Sequence, residues 1–511
     1  MQRREFSKLM ALLACPWPTG AFAQGEDADW SERFAAALRE RPWLAAWGNI
    51  DREHYQGEAA TSGRWPEELR GTLYRTGPAQ HEVHGYRNHH WFDGDGMVQA
   101  WRIGADGVRH QARLVETAKV KAERAAGRAL YPGMMAAPPG AAGLTGPDDL
   151  NLANISVLHH HGRLLALWEA GSPYEIDPES LTTIGPYSFA DARGGSSMRG
   201  VPFSAHPRMD VDGSVWNFGY ASGAGLMVLW HIGADGVLLS AGRVAVDPMT
   251  MPHDFVVTES HLVLLLPPFH YRPERRAEGF LNLHEWRPED PCRVLVVDKN
   301  DLSSHYFLEL PAQWIFHFGN AWEDDAGVIR FDAARAPDPG IMTHTFTDIM
   351  RGNPNFRDSS PARHYRYRID TRERTIAEEA MLEPGLYSEF PCIDPRVGCR
   401  RYRKLVFLSQ REGVPAAHGM LNELSLFDME NGQRGFFRYP DEQIPEEHLY
   451  VPRPGSEPET SGWILGTAYD WKRRAHVLNL FDAEGIADGP MAAAELPYAI
   501  PLGLHGKFVA G

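Results

Sequence analysis

Four histidines stand in comparable settings along this chain: His206 in FSAHPRMD, His253 in MPHDF, His317 in IFHFGNAWE and His505 in GLHGKFV. Three adjoin a strand-like run beside Pro, Asp or Asn, and the fourth lies against Gly506 near the chain end. Neutral imidazoles suit a divalent transition metal, and four of them without a carboxylate leave the charge of the metal uncancelled. Separations of 47, 64 and 188 residues allow the four to sit on different repeats of one architecture. Spacing permits convergence without requiring it. There are 23 histidines, and any one of them taken alone reads first as a capped, hydrogen-bonded structural residue.

Competing sites are weaker. No CxxC occurs among the four cysteines, so a Cys-ligated metal is not indicated. FDGDGM at 92–97 has two Asp but lacks the rest of a calcium-binding EF-hand loop, and reads as a tight glycine turn. His159, His160 and His161 alternate faces on a strand and read as surface residues. Asp254 reads as a structural hydrogen-bonding neighbour of His253, and Asn320 and Glu323 as organisers of a loop carrying His317.

The elements that must position these residues are β. AWRIGADGV at 100–108 is echoed by LWHIGADGV at 229–237: an apolar strand, an Asp-Gly turn and a return strand. Related hairpins recur as YRIDTRERTI at 365–374, LFDMENGQRGFF at 426–437 and NLFDAEGIADG at 479–489. Helical periodicity is confined mainly to WSERFAAALRE and to VKAERAAGRAL at 120–130. Many short hairpins without an obvious linker argue for a radial repeat of four-stranded blades. Seven blades would allot roughly 65 residues each, more than short-loop repeats need, and the surplus would build face loops around a site. A pair of β-sandwiches is the competing arrangement.

Bulk properties narrow the partners. A formal charge of -16, without an Arg/Lys-rich stripe, excludes nucleic acid as an expected partner. The start, MQRREFSKLMALLACPWPTGAFAQ, carries adjacent Arg3 and Arg4 and ends in Ala21-Phe22-Ala23, which reads as a twin-arginine signal cleaved after Ala23. That implies the twin-arginine export machinery as a partner and the periplasm as destination, with residues 24–511 as one mature domain. Cys15 sits in a poor lipid-attachment box. Cys392 and Cys399, across the turn PCIDPRVGC, could close a disulfide in an oxidising compartment. No later apolar run is long enough to span a bilayer, so any membrane contact is expected to be peripheral.

Further segments join the histidine motifs in order: GTLYRTGPAQ and HHWFDGDGMVQAW at 71–101, LLALWEAGSPYEID, YSEFP, EHLYVPRPGSEPETSGW and the terminal LHG. Together they resemble the carotenoid cleavage oxygenases, the iron-dependent alkene-cleaving family that includes apocarotenoid and lignostilbene oxygenases. The likeness spans about 435 residues. It implies an all-β, seven-bladed propeller whose long face loops cap the active site, with Fe(II) on the axis held by His206, His253, His317 and His505. It also implies that Glu169 in LWEAG, Glu389 in SEFP and Glu447 in EEHLYV accept the outer N–H of three ligands, fixing tautomer and strengthening donation. One histidine is left without such a partner, and no catalytic residue beyond the metal site is implied.

Four ligands leave up to two adjacent open positions in octahedral geometry, so O2 can act beside a bound alkene. The implied reaction adds O2 across one C=C bond of an apolar polyene and releases two carbonyl products, with no external reductant. The loop LYPGMMAAPPGAAGL at 130–144 lies where the family places an apolar membrane-facing patch. Lignostilbene-type members hold a substrate phenol with a Tyr and a Lys. Leu114 falls at the aligned place of that Tyr, and no Lys occurs between Lys121 and Lys299. This favours a carotenoid or apocarotenoid over a stilbenoid substrate. The alternative class is a non-enzymatic propeller that binds an apolar ligand, which would need no stoichiometric iron.

Overall fold

The Asp-Gly turns form as their sequences predict. AWRIGADGV becomes the paired strands Asp95–Gly104 and Gly107–Leu114, and its echo becomes Leu226–Ile232 and Leu238–Ala245. At the turns Gly107 takes a φ of +121° and Gly236 one of +79°, which an L side chain adopts only with strain. The hairpins Arg363–Asp370 with Thr375–Ala380 and Glu423–Asp428 with Arg434–Arg438 form likewise. In NLFDAEGIADG a 3-10 turn, Ile486–Asp488, intervenes before the return strand Ala492–Glu495.

The computed structural model describes residues 28–191, 198, 200–275, 279–354 and 360–511. The expected signal at 1–23, with Cys15, lies outside them. Among the described residues the strands form seven sheets of four or five strands plus two small two-stranded ribbons. The seven sheets are the blades of a propeller, which displaces the pair of sandwiches. Blade two runs from Ser156–His160 to Thr183–Pro186, blade three from Arg208–Met209 to Leu238–Ala245, and blade four from Val256–Val257 to His305–Leu310. Blade five runs from Trp314–Glu323 to Thr375–Ala380 and blade six from Leu386–Cys392 to Arg434–Arg438.

Both chain ends close the ring. Blade one, built on Gly71–Gln80 and Asp95–Gly104, receives the C-terminal strand Gly506–Ala510, which pairs antiparallel with residues 71–75. Blade seven, built on Gln443–Pro452 and Gly462–Asp470, receives the early strand Ala60–Gly63 at its outer edge. A Cβ on Gly77 would lie 2.4 Å from the Gly503 Cα, so two glycines let blade one touch the segment leading to His505.

The expected helices are Ala28–Glu40 and Ala118–Ala126, the second capped by the Thr117 side chain and ended by Gly127 at a φ of +63°. A further short helix, Phe346–Arg351, was not foreseen. Trp30, Phe34, Trp43 and Trp47 pack with Trp91 and Phe346 into the largest apolar cluster, which caps the inner ends of the blades. Buried Arg87 ties this cap together by donating to Trp47 O and Met350 O.

Several local expectations need correction. Cys392 and Cys399 are free thiols with different partners: Cys392 Sγ accepts from Tyr450 N, while Cys399 Sγ faces Met209 O. Residue 317 lies within a strand, not a loop, and Asn320 instead fastens that strand to the 397–400 segment through Val397 O, Arg400 O and Cys399 N. Glu323 reaches the neighbouring blade, accepting from Thr258 Oγ1 at 2.7 Å and lying 2.8 Å from His261 Nδ1. Of the His159–His161 run, His160 is buried and donates to Gly213 O.

Candidate metal centre

Each ligand candidate enters from the axial strand of a different blade. His206 precedes the first strand of blade three by two residues, His253 precedes that of blade four, His317 lies in the first strand of blade five, and His505 immediately precedes the closing strand of blade one. The remaining blades supply the carboxylates. Glu169 follows the second strand of blade two, Glu389 lies in the first strand of blade six, and Glu447 in that of blade seven.

Ladder irregularities aim these side chains. Register shifts fall between Ile315 and Phe318, between Glu389 and Cys392, and between Pro445 and His448. An extra residue in one strand turns a side chain out of the alternating pattern, here His317, Glu389 and Glu447 toward the axis. Phe390, at a φ of +57°, carries the same distortion and stacks on His317 at 5.3 Å.

The four imidazoles converge. Their ligand nitrogens all lie within 4.8 Å of one another, with His206 Nε2 2.9 Å from His253 Nε2 and His317 Nε2 3.1 Å from His505 Nε2. Three outer nitrogens meet carboxylates: His253 Nδ1 lies 2.5 Å from Glu169 Oε1, His317 Nδ1 2.5 Å from Glu389 Oε2, and His505 Nδ1 2.7 Å from Glu447 Oε1. Among the described residues His206 has no carboxylate partner. A carboxylate on Nδ1 places the proton there and turns a lone pair on Nε2 toward the shared centre.

The electrostatics fit a cation. Burial, reinforced by the neighbouring imidazoles, holds His206 and His317 well below the ordinary histidine value, so both stay neutral donors. Burial opposes the charge of His253 too, but the Glu169 carboxylate outweighs it and raises that residue. Burial pushes Glu389 up to about 8, whereas for Glu447 the contact with His505 prevails over burial and lowers it. Four nitrogen donors, three of them backed by carboxyl groups, form a site that suits a divalent metal, whose charge would favour the ionised form of Glu389.

Two arginines unsuspected from spacing alone hold this arrangement. Arg208 donates to Phe255 O, Gly319 O and Phe318 O and pairs with Asp254, which also accepts from Phe318 N and Phe255 N. Arg75, fully buried, donates to Glu447 O at 2.8 Å and to Leu504 O at 3.1 Å, linking a carboxylate strand to the His505 segment. Both sit inside motifs, FSAHPRMD and GTLYRTGP, where they were readable as basic residues flanking apolar runs.

A cavity of about 760 Å3 ends on His253, His317 and His505 and is walled by Trp43, Trp91, Phe316, Phe346, Phe390 and Leu504. Leu114 lines none of it. That residue packs with Met97, Val120 and Ile500 in a separate cluster. The 130–144 loop is partly buried: Tyr131, Met134 and Leu144 face a second, smaller cavity.

Known proteins share this architecture. Residues 49–510 match the retinal pigment epithelial membrane protein family. The chain is 28% identical to the apocarotenoid-15,15'-oxygenase of Synechocystis over 91% of its own length and 96% of that protein's. It is 27% identical to resveratrol cleavage oxygenase 1 of Aspergillus fumigatus, over 88% and 91%, and 26% identical to the isoeugenol monooxygenase of Pseudomonas nitroreducens, over 88% and 93%. The crystal structure of cobalt-substituted Synechocystis ACO superposes with a TM-score of 0.82 at 27% identity, covering 92% of this chain and 99% of that one. With a matched fold, a converged four-histidine centre and a family likeness running nearly end to end, the chain belongs to the retinal pigment epithelial membrane protein family, that of the carotenoid cleavage oxygenases.

Proposed function

We propose that the protein is an Fe(II)-dependent dioxygenase that cleaves one C=C bond of a carotenoid or apocarotenoid into two carbonyl products. One observation carries this reading: a largely apolar cavity of about 760 Å3 is lined by three of the four converged imidazoles. The residues that would hold the iron are His206, His253, His317 and His505, with Glu169, Glu389 and Glu447 behind three of them. Bound there, iron supplies the activation of O2.

The chain supplies the rest. Trp91, Phe316 and Phe390 give flat apolar walls that align a polyene and exclude water from the centre. Splitting a C=C bond with both oxygen atoms entering the products moves no net proton, so the mechanism asks for no acid–base residue. The carboxylates keep their protons on the histidine Nδ1 atoms and hold the rings in place.

The reading extends to location. Arg3, Arg4 and the Ala21-Phe22-Ala23 end support twin-arginine export to the periplasm, and the apolar residues of 130–144 support a peripheral contact through which a lipid-dissolved substrate enters. The test is purification, iron quantification, and incubation under oxygen with a β-apocarotenal, β-carotene and resveratrol, followed by product mass analysis. Stoichiometric iron and carbonyl fragments from a polyene are expected. Fragments from resveratrol alone would replace the substrate class, and an iron-free protein giving no fragments would make it a binding protein.

A further inference from the structure

Phe92 is a wall of two cavities. One is the cavity that ends on the metal centre; the other, of about 200 Å3, lies between the 129–134 loop, Trp168 and the end of the strand Val215–Ala221. Its lining is mostly apolar, yet it holds a Tyr hydroxyl and a charged cluster.

Tyr220 is the informative residue. Its side chain is buried, it lines this cavity, and its hydroxyl has no hydrogen-bond partner among the described residues. A buried hydroxyl without a protein partner is costly to keep, and it is free to bond a molecule that enters the cavity. The same cavity exposes the Asp93 carboxyl, which accepts from Met134 N, and which burial pushes up to about 7. Near neutral pH a good share of Asp93 is therefore protonated and able to donate.

The cluster also selects against charge. Among the described lining residues the only cation is Lys119, and its ammonium is bracketed by Asp95 at 3.0 Å and Glu123 at 2.8 Å. Two carboxylates already answer that cation, so a phenolate or carboxylate end would meet repulsion from Asp95 and Glu123. A neutral oxygen would not.

We propose that this cavity seats the oxygen-bearing end of the substrate, a neutral hydroxyl or carbonyl, against the Tyr220 hydroxyl, while the polyene passes Phe92 toward the metal centre. The inference rests on the polyene reading above and narrows it to polyenes with an oxygenated terminus.

The test uses the full chain and its Tyr220→Phe variant, which removes the hydroxyl and breaks no hydrogen bond of the folded protein, so the melting temperature should not fall. Binding is measured without oxygen, where no cleavage occurs, by quenching of protein fluorescence with a β-apocarotenal, with zeaxanthin and with β-carotene. Loss of one hydrogen bond should weaken the oxygenated ligand about three- to tenfold and leave β-carotene unchanged. In turnover the same factor should fall on KM with kcat held. Loss with zeaxanthin alone assigns the hydroxyl, and loss with the apocarotenal alone assigns the carbonyl. Equal loss for β-carotene, no loss for either oxygenated ligand, or no binding by the unaltered protein overturns the proposal. Oxygen-selective binding without any cleavage under oxygen would retain the subsite and reject the dioxygenase reading.

Discussion

The Asp254 carboxylate and the Arg208 guanidinium, 2.5 Å apart, together touch the segments of three metal-ligand candidates: Arg208 lies two residues beyond His206, Asp254 follows His253, and both bind the backbone of Phe318 beside His317. Asp254 is buried, while a quarter of the Arg208 side chain stays exposed. Replacing Asp254 by Asn leaves the guanidinium short of its counter-charge. Removing one partner of a buried pair costs about 3–5 kcal/mol, and the partial exposure of Arg208 puts the expectation near the lower end. Urea unfolding of D254N against the parent protein measures this. Metal content should fall with it, because three ligand segments lose a common anchor.

Replacing His317 by Ala should abolish metal retention and cleavage together. Glu389→Gln should keep the fold but weaken metal affinity about 10- to 100-fold, since Gln can still accept at Nδ1 without the charge. Elemental analysis after dialysis against a graded chelator series reads both. Parent-like iron content in the His317 variant would remove that residue from the ligand set.

Ending the chain at His505 keeps all four imidazoles but deletes the strand Gly506–Ala510 and with it five paired positions against residues 71–75. At about 1 kcal/mol per ladder hydrogen bond, the loss should reach about 3–5 kcal/mol. Thermal unfolding should shift down, and the iron per chain should drop even though no ligand is missing.

His90 should make stability depend on acidity. Its Nδ1 accepts from Phe92 N at 3.1 Å and its Nε2 donates to Met342 O at 2.9 Å, which commits both nitrogens in the neutral ring. Burial lowers it from 6.5 to about 4. The unfolded chain therefore binds a proton that the folded chain refuses between those values. Its contribution is complete above about pH 6.5 and declines toward pH 4 by about 1.4 kcal/mol per pH unit. The difference between the parent and a His90→Gln variant, in chemical denaturation from pH 7.5 to 4.5, should shrink on that slope; a pH-independent difference would contradict it.

Three of the histidines could be picked out because each stands where a turn residue hands the chain to an axial strand: Pro-His-Asp at 252–254, His-Pro at 206–207, His-Gly at 505–506. Repeated hairpins with Asp-Gly turns made the blades readable for the same local reason. What joins the four rings is not local. Convergence depends on closure between residues 71–75 and 506–510, and no periodicity reports a contact across so much chain. The shifts beside His317, Glu389 and Glu447 were invisible too, because one extra residue in a strand leaves no compositional mark. Reading His317 as loop-borne followed from that blind spot. Phe346–Arg351 escaped notice because six residues carry less than two turns of helical period.

Because His505 directly precedes the strand Gly506–Ala510 that shuts the ring against residues 71–75, a ribosome must pass residue 505 before a four-nitrogen site can exist. A nascent chain stopped before His505 thus offers at most three of the four donors, and occupancy of the centre doubles as a record that synthesis passed that residue.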